Sequence, residues 1–161
     1  MLINEKIDIP KYEGHLKSTL ESLEKGIFEL PDQPGGILGQ EWWQFKIGNE
    51  VVGYGWIHEV TAGSNQILEI SFVVIKEYRK YRISVGRHIV EHLEIVCKDK
   101  GATCVQAIVK TTNPYSQSVI RLLCSLGYGS TPSYPSIDEL IKYSKDLANI
   151  TGINILMQKV F

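Results

Sequence analysis

Cysteine is scarce. The chain of 161 residues has three, Cys97, Cys104 and Cys124. An odd number at wide spacing excludes a disulfide framework, and no paired Cys or Cys/His pattern marks a zinc site. The three read as reduced, partly buried small apolar residues. A surplus of charge is missing too: 17 Lys and Arg face 18 Asp and Glu, a formal net charge of −1. That argues against broad binding to nucleic acid or anionic membranes, which needs a large positive excess, and leaves room only for a local basic patch. No apolar run approaches the roughly 18 residues that span a bilayer. The N-terminal MLINEKIDIP lacks the basic-then-apolar order of a signal peptide, so a cytoplasmic location is expected. Internal repeats, low-complexity tracts and linkers are absent from the sequence.

The content that is present is that of one globular domain over residues 1–161, with 43% apolar and 22% charged residues. Leu16, Leu20 and Leu23 lie at helical spacing ahead of Gly26, which predicts a helix over 11–24. Pro31, Pro34, Gly35 and Gly36 mark a loop. Trp43, Phe45 and Ile47 alternate, Gly48-Asn49 turns the chain, and VVGYGWIHEV returns as a second strand. Gly53 and Gly55 inside that strand point to a bulge or to close approach of other groups. Ile67 to Ile75 is a third antiparallel strand.

The pattern then changes to strand–helix alternation. Val85, Ile89, Leu93 and Val96 form an apolar stripe that Gly101 ends, and Val105 to Val109 is a short strand. Val119, Leu122, Leu123 and Leu126 make the next stripe, ended by Gly127. Ser136 and Glu139 stand in capping-box spacing before another helix, and Ile153 to Val160 is the last strand. The expected fold class is α/β (α+β), a mixed sheet with helices packed on it.

The segment ILEISFVVIKEYRKYRISVG, Ile67 to Gly86, carries the most chemistry. A buried strand runs into a cation-rich turn, and Gly86 opens a helix. The first turn of a helix leaves N–H groups unpaired at the positive end of its dipole, so this is an anion site. Lys76, Arg79, Lys80, Arg82 and Arg87 also have a bland reading as a solvated turn. In the functional reading, the N–H groups of Ser84, Val85, Gly86 and Arg87 hold a pyrophosphate while arginines add charge-assisted bonds. Glu69 is the one carboxylate in the strand. It is either paired on a solvent face or placed in a cleft, where partial burial raises its pKa and suits it to take a proton. Together these features point to a nucleotide-containing cosubstrate and a base.

Two stretches, EISFVVIKEYRKYRISVGRHIVEHLE and SQSVIRLLCSLGYG, resemble the GNAT superfamily of acetyl-CoA-dependent N-acetyltransferases over roughly Trp43 to Tyr128. Gly86 fits the final small residue of the family loop [QR]-x-x-G-x-[GA]. Ser84 stands where its first glycine is usual and Tyr81 where its basic or amide residue is usual. Leu126-Gly127-Tyr128 fits the Gly-aromatic end of the second helix. Ser116 takes the register of the family's Asn, with Asn113 just before it, and Leu123 that of its Tyr general acid.

The resemblance implies a centrally splayed sheet of about six to seven strands with helices on both faces. It implies that the main chain of Val73, Val74 and Ile75, otherwise plain sheet core, pairs with the pantetheine arm of acetyl-CoA, and that Phe72, Asn113 and Ser116 also contact the coenzyme. A main-chain N–H near Val73 or Val74 would face the thioester oxygen. Glu69 takes the register of the family's catalytic Glu, and Tyr115, Cys124 and Tyr128 are replacements for the missing acid, Tyr115 nearest the cleft. Tyr128 also suits the core. His58 is a weak candidate base, while His88 and His92, four apart, lack a third ligand and suit surface or capping roles. Trp42, Trp43 and Trp56 suit core, rim or pocket wall.

The expected reaction is acetyl transfer from acetyl-CoA to a primary amine of a small molecule or peptide, by direct attack in a ternary complex. No metal is expected, nor nucleic acid or membrane as partner; a homodimer through a sheet edge is a candidate assembly. Two alternatives stay open: a catalytically weak or inactive acyl-CoA-binding or sensing module, and an interaction protein without a nucleotide ligand.

Overall fold

Alternating and β-branched segments assemble into one seven-stranded sheet of order β1-β2-β3-β4-β5-β7-β6. The computed structural model describes residues 1–7, 41–79, 84–111, 113–148 and 154–161. The helix expected over 11–24, the loop at 31–36 and the candidate Arg82 lie outside them. The strands are β1 (Leu2–Ile7), β2 (Glu41–Ile47), β3 (Glu50–Glu59), β4 (Ile67–Val74), β5 (Cys104–Lys110), β6 (Gly129–Thr131) and β7 (Asn154–Val160). Among the described residues the α-helices are α1 (Val85–Asp99), α2 (Ser116–Ser125) and α3 (Ile137–Ala148). Strands β1 and β6 have no counterpart in the sequence reading. Both are edge strands, and each is specified by its partner, β1 by full register with β2 and β6 by β7.

Every neighbouring pair is antiparallel except β4 and β5. Those two run parallel and pair only at Ile67/Cys104, Leu68/Val105 and Glu69/Gln106. Beyond Glu69 they part, so the sheet opens into a wedge at its centre.

One face of the sheet carries the main core. Ile57, Leu68 and Ile70 meet Ile89 and Leu93 of α1, Ile120 and Leu123 of α2, and Leu140 and Ile141 of α3. Burying such side chains stabilises by about 1.5–3 kcal/mol each. The opposite face holds a smaller cluster of Ile7, Trp42, Tyr54, Trp56 and Val73, in which Trp42 and Trp56 stack with ring centroids 4.3 Å apart. Helix α1 lies so close to β3 that a Cβ on Gly53 would stand 2.7 Å from both Ile89 Cδ1 and the Val73 carbonyl oxygen. A register shift between Phe45 and Lys46 adds a bulge beside it. Gly101 and Gly127, at φ +91° and +94°, follow the ends of α1 and α2, where an L side chain would be strained. Ser136 Oγ accepts from Glu139 N at 3.2 Å, the expected cap of α3.

Candidate active site at the central wedge

The wedge exposes the main chain of β4. Ile75 N donates to Val52 O at 2.9 Å. Alternation along an antiparallel ladder then commits Val73, Ser71 and Glu69 to β3 and turns the peptide groups of Ile70, Phe72 and Val74 towards β5. No strand lies beside Phe72 and Val74 on that side among the described residues. The pantetheine pairing expected of Val73 and Ile75 is therefore corrected, since both bond to β3, and the available N–H expected near Val73 or Val74 narrows to Val74, which faces the wedge with Phe72. Arg79 Nε donates to Val74 O at 3.1 Å, and its guanidinium lies 4.1 Å from the centre of the Tyr115 ring. Burial lowers the Arg79 pKa, partly offset by Tyr115.

A groove of about 740 Å³ runs from this edge to the start of α1. It is lined by Phe72, Val73, Val74, Arg79, Ser84, Val85, Gly86, Asn113 and Tyr115, among others. Ser84 is the N-cap of α1, and its Oγ accepts from Arg87 N at 3.4 Å. That leaves the amides of Val85 and Gly86 at the open end of the helix, with no acidic residue in the first turn. Such an end suits a diphosphate. Arg87 does not line the groove; its guanidinium is 2.9 Å from Ser125 Oγ and 3.4 Å from Glu91 Oε1. A Cβ on Gly86 would lie 3.1 Å from Leu122 Cδ2 and 3.6 Å from Val74 Cγ2, so the glycine forms the narrow floor between β4 and α2.

A second space of about 340 Å³ lies between the diverging strands. Trp56, Glu69, Ser71 and Ile108 line it, together with Ser116. Phe72, Asn113 and Val119 line both spaces, so the two adjoin. The Asn113 side chain accepts from Tyr115 N at 2.8 Å, which shapes the turn into α2. Ser116 is buried at the start of that helix.

Glu69 sits where the wedge begins. Its Oε2 is 2.9 Å from His58 Nε2 and its Oε1 accepts from Gln106 Nε2 at 2.8 Å. Burial pushes its pKa up, but the hydrogen bonds from His58 and Gln106, with the His58 charge, outweigh this and hold it below the ordinary carboxylate value. The raised pKa expected from burial is thus corrected: two donors on one carboxylate favour the charged form. Gln106 and Gln158 were missed in the sequence. The available signal was a polar residue inside the apolar run Val105 to Val109, in the strand beside Glu69.

The remaining candidates sort by burial. Leu123 is fully buried in the main core and Leu122 lines the groove instead, so the register implied for an acid faces away from the cleft. Tyr128 packs in the core. Burial pushes the Cys124 thiol up and the Cys97 thiol up to about 12, and all three cysteines are free. His88 Nε2 and His92 Nδ1 both contact the Asn4 side chain, at 2.6 and 3.1 Å, and tie α1 to β1. No cluster of three metal-binding side chains occurs among the described residues. No described helix is long and apolar enough to cross a membrane.

No curated protein sequence matches the chain. Solved structures share its fold. An acetyltransferase of the GNAT family from Streptococcus pneumoniae is 18% identical, with 100% of each chain covered and a TM-score of 0.64. The putative acetyltransferase yncA from Salmonella typhimurium, solved with acetyl-CoA, is 16% identical over 99% of this chain and 94% of that one, at 0.67. A GNAT superfamily phosphinothricin acetyltransferase from Sinorhizobium meliloti, in complex with acetyl-CoA, is 14% identical over 99% and 88%, at 0.64. The model of the acetyltransferase (GNAT) family matches residues 9–125. With that match over most of its length, the chain belongs to the GNAT acetyltransferase family.

Proposed function

We propose that the protein is an acetyl-CoA-dependent N-acetyltransferase acting on a primary amine of a small molecule or peptide. One observation carries the assignment: β4 and β5 part directly after Glu69 and Gln106, and the groove so opened ends at the N-terminus of α1. The pantetheine arm pairs with the main chain of Phe72, the Val74 N–H is left for the thioester because its carbonyl accepts from Arg79, and the diphosphate rests on the amides of Val85 and Gly86. Two relatives in fold were solved with acetyl-CoA, which supports this placement.

The amine nitrogen attacks the thioester carbon, the C–N bond forms and the C–S bond breaks. The Val74 N–H faces the oxygen on which negative charge develops, an interaction worth roughly 3 kcal/mol. The proton lost by the amine goes to Glu69, directly or through one water. The coenzyme thiolate leaves, and the Tyr115 hydroxyl, whose residue lines the coenzyme groove, supplies its proton. Glu69 is ionised at neutral pH, so it also draws in the acceptor as an ammonium ion, which gives one proton to solvent before the neutral amine attacks. Much of the rate comes from holding both substrates in one cleft.

Acetyl-CoA at 100 times its Kd should stabilise the protein by about 2.7 kcal/mol. For a chain of this size that is a rise of about 5–10 °C in Tm. Acetyl transfer to a panel of primary amines is then measured, with Glu69→Gln expected to lower turnover and keep the Tm rise. No rise with acetyl-CoA defeats the assignment. A rise without transfer to any amine leaves the second reading, a non-catalytic acyl-CoA-binding module, which the lowered pKa of Glu69 favours because it makes the carboxylate a weaker base.

A further inference from the structure

Glu69 belongs to a row of polar side chains that crosses the sheet. His58 on β3 is the register partner of Glu69, Glu69 of Gln106 on β5, and Gln106 of Gln158 on β7. Each contact along the row is made: 2.9 Å from His58 Nε2 to Glu69 Oε2, 2.8 Å from Gln106 Nε2 to Glu69 Oε1, and 3.2 Å from Gln158 Nε2 to Gln106 Oε1. We propose that Gln106 and His58 are positioning residues that hold the Glu69 carboxylate in one orientation at the mouth of the wedge, and that Gln158 acts through Gln106 by fixing which way its amide points. This rests on Glu69 being the proton acceptor of the proposed reaction.

The geometry is directional. An ionised carboxylate only accepts, so Gln106 must present its NH2 group to Glu69 and its oxygen to the other side. Gln158 donates to that oxygen, and a reversed Gln106 amide would lose both bonds. His58 must likewise present Nε2–H, because the carboxylate 2.9 Å away only accepts. Glu69 and Gln106 are the last paired residues of β4 and β5. Their side-chain bond spans the last rung of the β4–β5 ladder, at the point where the strands part. Without it, a glutamate beside an open cleft would spread over several rotamers. Of the other charged or titratable groups, Lys110 lines the same space from β5, and β7 contributes the neutral Gln158. The acceptor-facing carboxylate is thus gripped from both neighbouring strands, a support of the kind that fixes reacting groups to within a fraction of an ångström.

The test titrates the Glu69 carboxyl by NMR in protein labelled with 13C at the glutamate carboxyls, the resonance being assigned by its loss in Glu69→Gln. Gln106→Leu and His58→Phe should move the midpoint upward. Gln158→Leu, which touches neither Glu69 nor the cleft lining, should move it in the same direction by less. In parallel, kcat should fall about tenfold to a hundredfold on the alkaline plateau, where Glu69 is ionised in every variant, while the Tm rise with acetyl-CoA is kept. A folded Gln106→Leu and Gln158→Leu that leave the midpoint or the plateau kcat unmoved overturn the proposal. If the midpoints move as expected but the wild type acetylates no amine, the row stands and the enzymatic assignment falls.

Discussion

Adding one methyl group at Gly53 and, separately, at Gly86 distinguishes a rigid contact from a yielding one. At Gly53 the new Cβ would stand 2.7 Å from the Val73 carbonyl oxygen and 2.7 Å from Ile89 Cδ1. The first neighbour is main chain in the β3–β4 ladder, and the second belongs to a side chain with no exposed surface. Neither can give without moving α1 off the sheet or prising β4 from β3. Overpacking of this kind costs about 3 kcal/mol, or about 6–12 °C in Tm for a domain of this size. At Gly86 the tightest neighbour is Leu122 Cδ2 at 3.1 Å, the end of a partly exposed side chain that can rotate. Relief of the glycine's entropy in a helix offsets part of that cost, so Gly86→Ala should stay within about 1 kcal/mol of wild type. Urea denaturation and calorimetry of the two variants measure the difference. Equal stability of Gly53→Ala and Gly86→Ala would refute the close approach of α1 to β3, and with it the placement of the α1 N-terminus beside Val74.

Three further outcomes are expected. Leu123→Tyr should destabilise by about 1–3 kcal/mol without raising kcat, because position 123 is fully buried away from the cleft; a gain in turnover contradicts this. Tyr115→Phe should retain acetyl-CoA affinity, since the ring under Arg79 stays, while kcat falls about a hundredfold if the hydroxyl protonates the thiolate; unchanged kcat removes Tyr115 from that role. His88 and His92 are held below the ordinary imidazole value of 6.5, both chiefly by burial, His92 also by His88, with Glu91 and Glu41 opposing. Groups that bind protons more weakly when folded favour the unfolded chain in acid, so stability should fall as pH drops through 6.5. Replacing both by Gln should flatten urea midpoints measured across that range, and an unchanged slope contradicts the assignment.

Local chemistry was legible in the linear chain. The alternation of Trp43, Phe45 and Ile47, the stripe from Val85 to Val96 and the Ser136/Glu139 cap each rest on contacts a few residues apart, and all formed where expected. The start of α1 was legible for the same reason: Gly86 was expected to open the helix after the basic turn, and the helix begins one residue earlier, at Val85. Strands β1 and β6 were not, because an edge strand takes its conformation from a neighbour that is remote in sequence. The divergence after Glu69 was expected only through family resemblance; nothing in the residues of β4 says where β5 leaves it. The protonation state of Glu69 was beyond reach as well. Burial alone argues for a raised pKa, and the sign reverses because His58 and Gln106, 11 and 37 positions away, deliver two hydrogen bonds to one carboxylate. Periodicity carries information about a residue's own helix or strand, whereas the charge of a buried group depends on which distant side chains the sheet register brings against it.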